Sequence, residues 1–172
     1  VRNNSEVYHG AINTAIVKLF DLTVGTTGMA AKHLKSADIP HLVSTTRSSS
    51  HASYYPNAKQ LTIQITFSPD TKQLLGAQVI GEEGADKRLD ILATLIKNKG
   101  TIYDLMDVEH AYAPPYSSAK DPVNMAGFVA DNILNKKLQV EQWDIFENNY
   151  QQTPNAVLID VRDPDEFACG AM

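Results

Sequence analysis

The side chains in this chain best suited to chemistry are tyrosines in two polar, proline-bearing segments. Tyr54 and Tyr55 precede Pro56, and Tyr112 and Tyr116 flank Pro114-Pro115. Prolines fix the backbone and remove N–H donors, so these segments read as surface loops, where function often sits. A phenol in such a loop can donate a hydrogen bond to an anion and stack on a flat or apolar ligand. It can equally serve as packing, because tyrosine is enriched at protein contacts. The residues alone leave both readings open.

Other chemistry is poorly provided for. The sequence holds no G-x-G-x-x-G and no P-loop, so no cradle for a dinucleotide or phosphate is encoded. There is no C-x-x-C, and His9, His33, His41, His51 and His110 are dispersed, which argues against zinc. The single cysteine, Cys169, excludes an internal disulfide framework. It has no signature of a nucleophile and reads as a small helix residue. The net charge of -5 carries no basic stripe for nucleic acid or an anionic membrane. No apolar run approaches the roughly 20 residues of a membrane helix. The polar N-terminus lacks a secretory core, and a cytosolic, cytoplasmic setting fits.

The elements that must position the tyrosines follow from hydrophobic periodicity. Ile12 to Val24 reads as one strand with apolar residues on both faces, and Met29 to Ala37 as a short helix ended by Pro40. His41 to Ser53, rich in serine and threonine, reads as a polar strand in preference to a linker. Leu61, Ile63, Ile65 and Phe67 alternate with polar residues in a half-buried strand, and Ser68-Pro69-Asp70 turns the chain into a partner strand from Leu74 to Gly81. Helices are expected at Ala85–Lys99, Ile102–Met106 and Pro122–Lys136, the last begun by Asp121 as N-cap. The fold class is α+β: an antiparallel sheet of about three to five strands, with the helices at Ala85–Lys99 and Pro122–Lys136 on one face. After Leu138 the pattern resets. A short helix at Val140–Tyr150 carries Trp143 and Phe146, Ala156 to Val161 reads as a buried strand, and a helix starts at Asp165-Glu166-Phe167. Domains are therefore expected at 1–138 and 139–172, the second cut short within a longer enzyme.

Beyond these patterns, the segment YAPPYSSAKDPVNMAG (Tyr112 to Gly127) resembles the dimerisation domain of flavin-dependent pyridine nucleotide–disulfide oxidoreductases, in their coenzyme A-disulfide reductase and NADH oxidase branch. FDLTVGTTG (Phe20 to Gly28), YYPNA (Tyr54 to Ala58), LLGAQVIGEEGADKRLDILATLI (Leu74 to Ile96) and YDL (Tyr103 to Leu105) match in the same order. The tail VLIDVRDPDEFACGAM (Val157 to Met172) resembles the start of a rhodanese-like domain, ahead of the rhodanese active-site loop, so Cys169 does not match the persulfide-carrying cysteine.

The resemblance implies a homodimer in which one subunit carries flavin and a redox-active cysteine while the other subunit's dimerisation domain closes that site. It implies FAD, NAD(P)H and coenzyme A in the intact enzyme, with FAD and NAD(P)H held by domains N-terminal to this region. The chain by itself is expected to be inactive and to bind no cofactor. Tyr54 and Tyr112 match tyrosines that reach the mixed disulfide with coenzyme A, with Tyr55 and Tyr116 as nearby alternatives. Two functions follow: reduction of coenzyme A disulfide, persulfide or polysulfide, or a purely structural dimerisation module of a water-forming NADH oxidase.

Overall fold

The structure, a computed structural model, describes residues 7–141, 143–155, 157, 159–168 and 170. It divides into two compact units, Val1–Leu138 and Gln139–Met172. The first is built on a five-stranded antiparallel sheet in the order β1-β2-β5-β4-β3. The strands are β1 (Ala15–Leu19), β2 (Leu22–Gly28), β3 (Leu42–Ser49), β4 (Gln60–Phe67) and β5 (Leu74–Gly81). Helices α1 (Ala31–Ser36), α2 (Ala85–Lys97), α3 (Ile102–Asp107) and α4 (Pro122–Leu134) complete the unit.

The alternation in β4 does what its period predicts. Leu61, Ile63, Ile65 and Phe67 turn to one face, where Ala77 and Val79 of β5 lie beside them, and all are buried. Ala85, Leu89 and Leu92 of α2, Ile102 and Leu105 of α3, and Val123, Ala126 and Ala130 of α4 close that face into one core. The fold is therefore α+β, with α2 and α4 packed on one side of the sheet, as their apolar stripes require.

On the opposite face α1 lies across one end of the sheet, where Thr66 Oγ1 donates to the Met29 carbonyl at 2.9 Å. The approach is close: a Cβ on Gly76 would collide with the Met29 carbonyl oxygen, so only glycine fits beside it.

The structure corrects the first strand. Ile12 to Val24 is not continuous; it folds back at Phe20-Asp21 into the hairpin β1–β2, with Leu19 opposite Leu22. Phe20 makes this possible by adopting φ +54, a conformation uncommon for a bulky side chain. No glycine, proline or asparagine marks the turn, which is why apolar residues on both faces read as one long strand. The polar stretch after His41 does form a strand, β3, pairing with β4 along its full length from Leu42 opposite Phe67 to Ser49 opposite Gln60.

In the second unit α5 (Trp143–Gln152) and α6 (Pro164–Ala168) form, and the Phe146 and Tyr150 rings stack with centroids 5.4 Å apart. Ala156 and Leu158 of the expected strand lie outside the described residues, as does Cys169. Its described residues Val157, Ile159 and Val161 are exposed and take no strand conformation. No strand is described among residues 139–172 for them to pair with, and an unpaired strand leaves its backbone groups unsatisfied.

Candidate functional site

The tyrosine loops leave the sheet and helices at one end of the first unit. The first runs from the end of β3 to the start of β4, and the second from α3 to α4. They are tied by backbone: the Ala52 N–H donates to the Ser117 carbonyl at 3.0 Å and, more weakly, to the Pro114 carbonyl at 3.3 Å. Within the first loop Ser50 closes a bridge to Lys59, and His51 Nε2 lies 3.1 Å from the Pro56 carbonyl. A carbonyl only accepts, so Nε2 carries the proton, and in a neutral ring Nδ1 accepts from Ser50 Oγ at 3.1 Å.

This arrangement places the Tyr54 and Tyr112 hydroxyl oxygens 3.5 Å apart, although the residues are 58 positions apart in the chain. Tyr54 is 76% exposed and Tyr112 49% exposed. The contact with Tyr112 holds the Tyr54 phenol above its ordinary pKa, so it stays protonated at neutral pH. O–H···O bonds usually close to ~2.7–2.8 Å. The looser spacing leaves both hydroxyls able to turn toward a third atom. The two alternatives are placed differently. Tyr55 packs edge-on against the His51 ring at 5.7 Å, and Tyr116 lies exposed at the rim of a small cleft with Ser50, His51 and Arg88.

Between the two loops, bonded to Ser50 and Ser117, lies a buried polar cluster that periodicity did not single out. Arg88 of α2 and Asp121 are each 1% exposed. Arg88 Nη2 donates to Asp121 Oδ2 at 2.8 Å and to the Ser50 carbonyl at 2.8 Å; Nε donates to Asp121 Oδ1 and Nη1 to the Gly84 carbonyl. Gly84 caps α2 in the left-handed region, φ +68, and a Cβ there would collide with the Arg88 guanidinium.

Asp121 also accepts from Ser117 Oγ at 2.5 Å and caps α4 through the Val123 N–H. Burial pushes its carboxyl upward in pKa, but hydrogen bonds from Arg88, Ser117 and Val123 outweigh burial and hold it below the usual range. His110 adjoins this cluster, with Nδ1 4.0 Å from Asp121 Oδ2 and Nε2 buried without a hydrogen-bond partner among the described residues. Burial lowers its pKa; Asp121 opposes this, and Lys87 and Arg88 reinforce it.

A signal for the cluster was present in the sequence. Arg88 sits on the apolar stripe Ala85–Leu89–Leu92, where a charge requires a buried partner. Asp121 was legible only as a helix cap. Among the described residues no group of three or more His, Cys, Asp or Glu side chains is placed to hold a metal ion, and no helix is long and apolar enough to cross a membrane.

A five-stranded antiparallel sheet carrying its core helices α2, α3 and α4 on one face, with tyrosine loops at one end, fits a dimerisation module of the disulfide oxidoreductase type. Residues 14–122 match the family model for the pyridine nucleotide-disulphide oxidoreductase dimerisation domain, and the chain belongs to that family. It is 38% identical over 128 residues to the coenzyme A disulfide reductase of Staphylococcus epidermidis, covering 74% of this chain and 29% of that protein. The solved structure of reduced Bacillus anthracis CoADR-RHD superposes with a TM-score of 0.90 at 44% identity, over 98% of this chain and 30% of that one. The NAD-dependent persulfide reductase of A. fulgidus superposes at 0.76 with 34% identity, over 78% and 25%. The water-forming NADH oxidase of Lactobacillus brevis shares the fold, with a TM-score of 0.73 at 20% identity over 77% and 29%. The chain thus spans a quarter to three-tenths of the length of these relatives.

Proposed function

We propose that this chain is the dimerisation part of an FAD- and NAD(P)H-dependent reductase of coenzyme A disulfide, persulfide or polysulfide, in which Tyr54 and Tyr112 complete the partner subunit's site. The observation that carries the reading is the pairing of the two hydroxyls at 3.5 Å on exposed loops. Likeness to coenzyme A disulfide and persulfide reductases at 34–44% identity supports a sulfur substrate. No glycine-rich phosphate cradle is encoded here, so flavin and nicotinamide belong to other domains of the same enzyme. A flavin held by those domains would supply the electron pair for the disulfide chemistry.

The tyrosines' own contribution is electrostatic. A thiolate attacking coenzyme A disulfide forms one S–S bond and breaks the other, and the departing sulfur takes the electron pair as a thiolate. Departure is faster when that charge is stabilised. Two phenols share at most one hydrogen bond between themselves, so one O–H always remains to donate to the sulfur. The Tyr54 phenol, held above its ordinary pKa by the contact with Tyr112, keeps its proton at neutral pH, and the site needs no rearrangement to receive the charge.

Tyr54→Phe and Tyr112→Phe in the full-length protein test this. Each keeps the ring and should slow disulfide reduction by roughly ten- to a hundredfold, about 1–3 kcal/mol for one lost donor, with dimerisation and flavin content unchanged. Wild-type rates in the Phe variants, with losses only on change to alanine, would instead mark the loops as packing in a structural module. Residues 139–172 are proposed as the opening of a rhodanese-like domain. The segment VLIDVRDPDEF and the 98% coverage by CoADR-RHD support this. Transfer of sulfur from thiosulfate to cyanide by the full-length protein is the direct check.

A further inference from the structure

The geometry points to Arg88 as the positioning residue of the tyrosine pair, one guanidinium clamping together the two loops that carry the hydroxyls. Resting on the reading of Tyr54 and Tyr112 given above, this assigns a role to a side chain that is 1% exposed and touches no reacting atom.

Among the described residues, no other buried side chain bonds to both loops. Arg88 Nη2 reaches the Ser50 carbonyl, four residues before Tyr54, at 2.8 Å, and Asp121 Oδ2 at 2.8 Å. Asp121 in turn holds Ser117 Oγ at 2.5 Å, five residues after Tyr112. Ser50, Arg88, Asp121 and Ser117 therefore form one continuous chain of contacts from loop to loop. The Ala52 amide, bonded to the Ser117 carbonyl at 3.0 Å, is aligned by the same two ends. Arg88 is itself fixed by α2 and by the Gly84 carbonyl at 3.2 Å. A rigid fork of donors suits this task, because a single planar group meets four acceptor atoms in fixed directions. A lysine keeps the charge and reaches one or two of them. Loosening either loop separates hydroxyls that only meet because both loops are held, and displacement by about 1 Å at a reacting centre can cost about a hundredfold in rate.

The test uses Arg88→Lys in the full-length protein, alone and with Tyr54→Phe, with 3-fluorotyrosine at position 112 as the reporter. In the parent protein Tyr54→Phe should move the fluorine resonance, because the two hydroxyls are adjacent. In Arg88→Lys that response should vanish while dimer and flavin content persist. Turnover should fall about tenfold or more with Arg88→Lys, and adding Tyr54→Phe should then cost less than about twofold, since contacting groups are non-additive. A resonance that still responds to Tyr54→Phe in the Arg88→Lys background, or rate losses that simply multiply, overturns the assignment. Should Arg88→Lys fail to fold, Ser117→Ala, which breaks the same chain at its far end and leaves the ion pair intact, must give the same two results or the assignment falls. If Tyr54→Phe leaves the parent's turnover unchanged, the catalytic reading of the tyrosines fails, and the fluorine response alone still decides Arg88.

Discussion

At the residue scale, His110 and Asp121 show how one buried cluster makes opposite demands on protons. His110 is held neutral by burial and by nearby Lys87 and Arg88, so its folded pKa lies below its unfolded value of ~6.5. The unfolded chain then binds the extra proton first. This contribution is complete above ~6.5 and is lost as pH falls through the folded pKa. Urea midpoints should accordingly decline as pH falls below ~6.5, and His110→Leu should remove that component of the slope. An unchanged slope in the variant would assign it to other groups. Asp121 has the same sign at lower pH. Its depressed pKa stabilises the fold above the carboxylate's unfolded value near ~3.9, and the contribution disappears as pH falls through the folded value.

At the element scale, the buried Arg88–Asp121 pair joins α2 to the first turn of α4. Removing one partner leaves an uncompensated buried charge, so Arg88→Met should cost about 3–5 kcal/mol in chemical denaturation. Arg88→Met combined with Asp121→Asn should cost less than the sum of the single changes, because asparagine still caps α4 and no buried charge remains. An additive double variant would show that the pair is energetically independent. The junction of β5 with the segment before α1 makes a second, separate prediction. Gly76→Ala drives a methyl into the Met29 carbonyl, a backbone group that cannot swing aside. The expected loss is about 1–3 kcal/mol, measured by thermal unfolding. Gly10, where an added Cβ would meet nothing within 4 Å, supplies the contrast for crowding, although its φ of +78 adds backbone strain of its own.

At the scale of the whole molecule, the buried residues of the main core cluster, among the described residues, run from Leu61 to Ala130, all within the first unit. The first unit therefore contains the apolar burial it needs. Ending the chain at Leu138 should shift its thermal transition by less than about 4 °C, under ~1 kcal/mol for a domain of this size. A larger fall would show that residues 139–172 contribute to its stability. The proposed role also requires self-association. Analytical ultracentrifugation should find a symmetric dimer, because two-fold contacts are the commonest closed arrangement and the proposed site needs a second subunit.

Local pattern by itself determined most of the sheet and both core helices. Leu61 to Phe67 alternates with period two, and Ala85 to Lys97 and Pro122 to Leu134 carry stripes of helical period; Asp121 before Pro122 announces its cap. These features depend on residues only a few positions apart, so the chain displays them directly. The motif around Tyr112-Ala113-Pro114-Pro115-Tyr116 likewise carried the family, which the matched residues 14–122 bear out. The β1–β2 hairpin escaped because its turn rests on the backbone angle of Phe20, for which residue type gives no warning. The tertiary structure alone decided that Tyr54 meets Tyr112, and that Arg88 links Ser50 to Asp121. Those partners stand 58, 38 and 33 positions apart. Sequence periodicity reports which face a side chain takes on its own element, whereas contacts across such separations depend on how the elements pack.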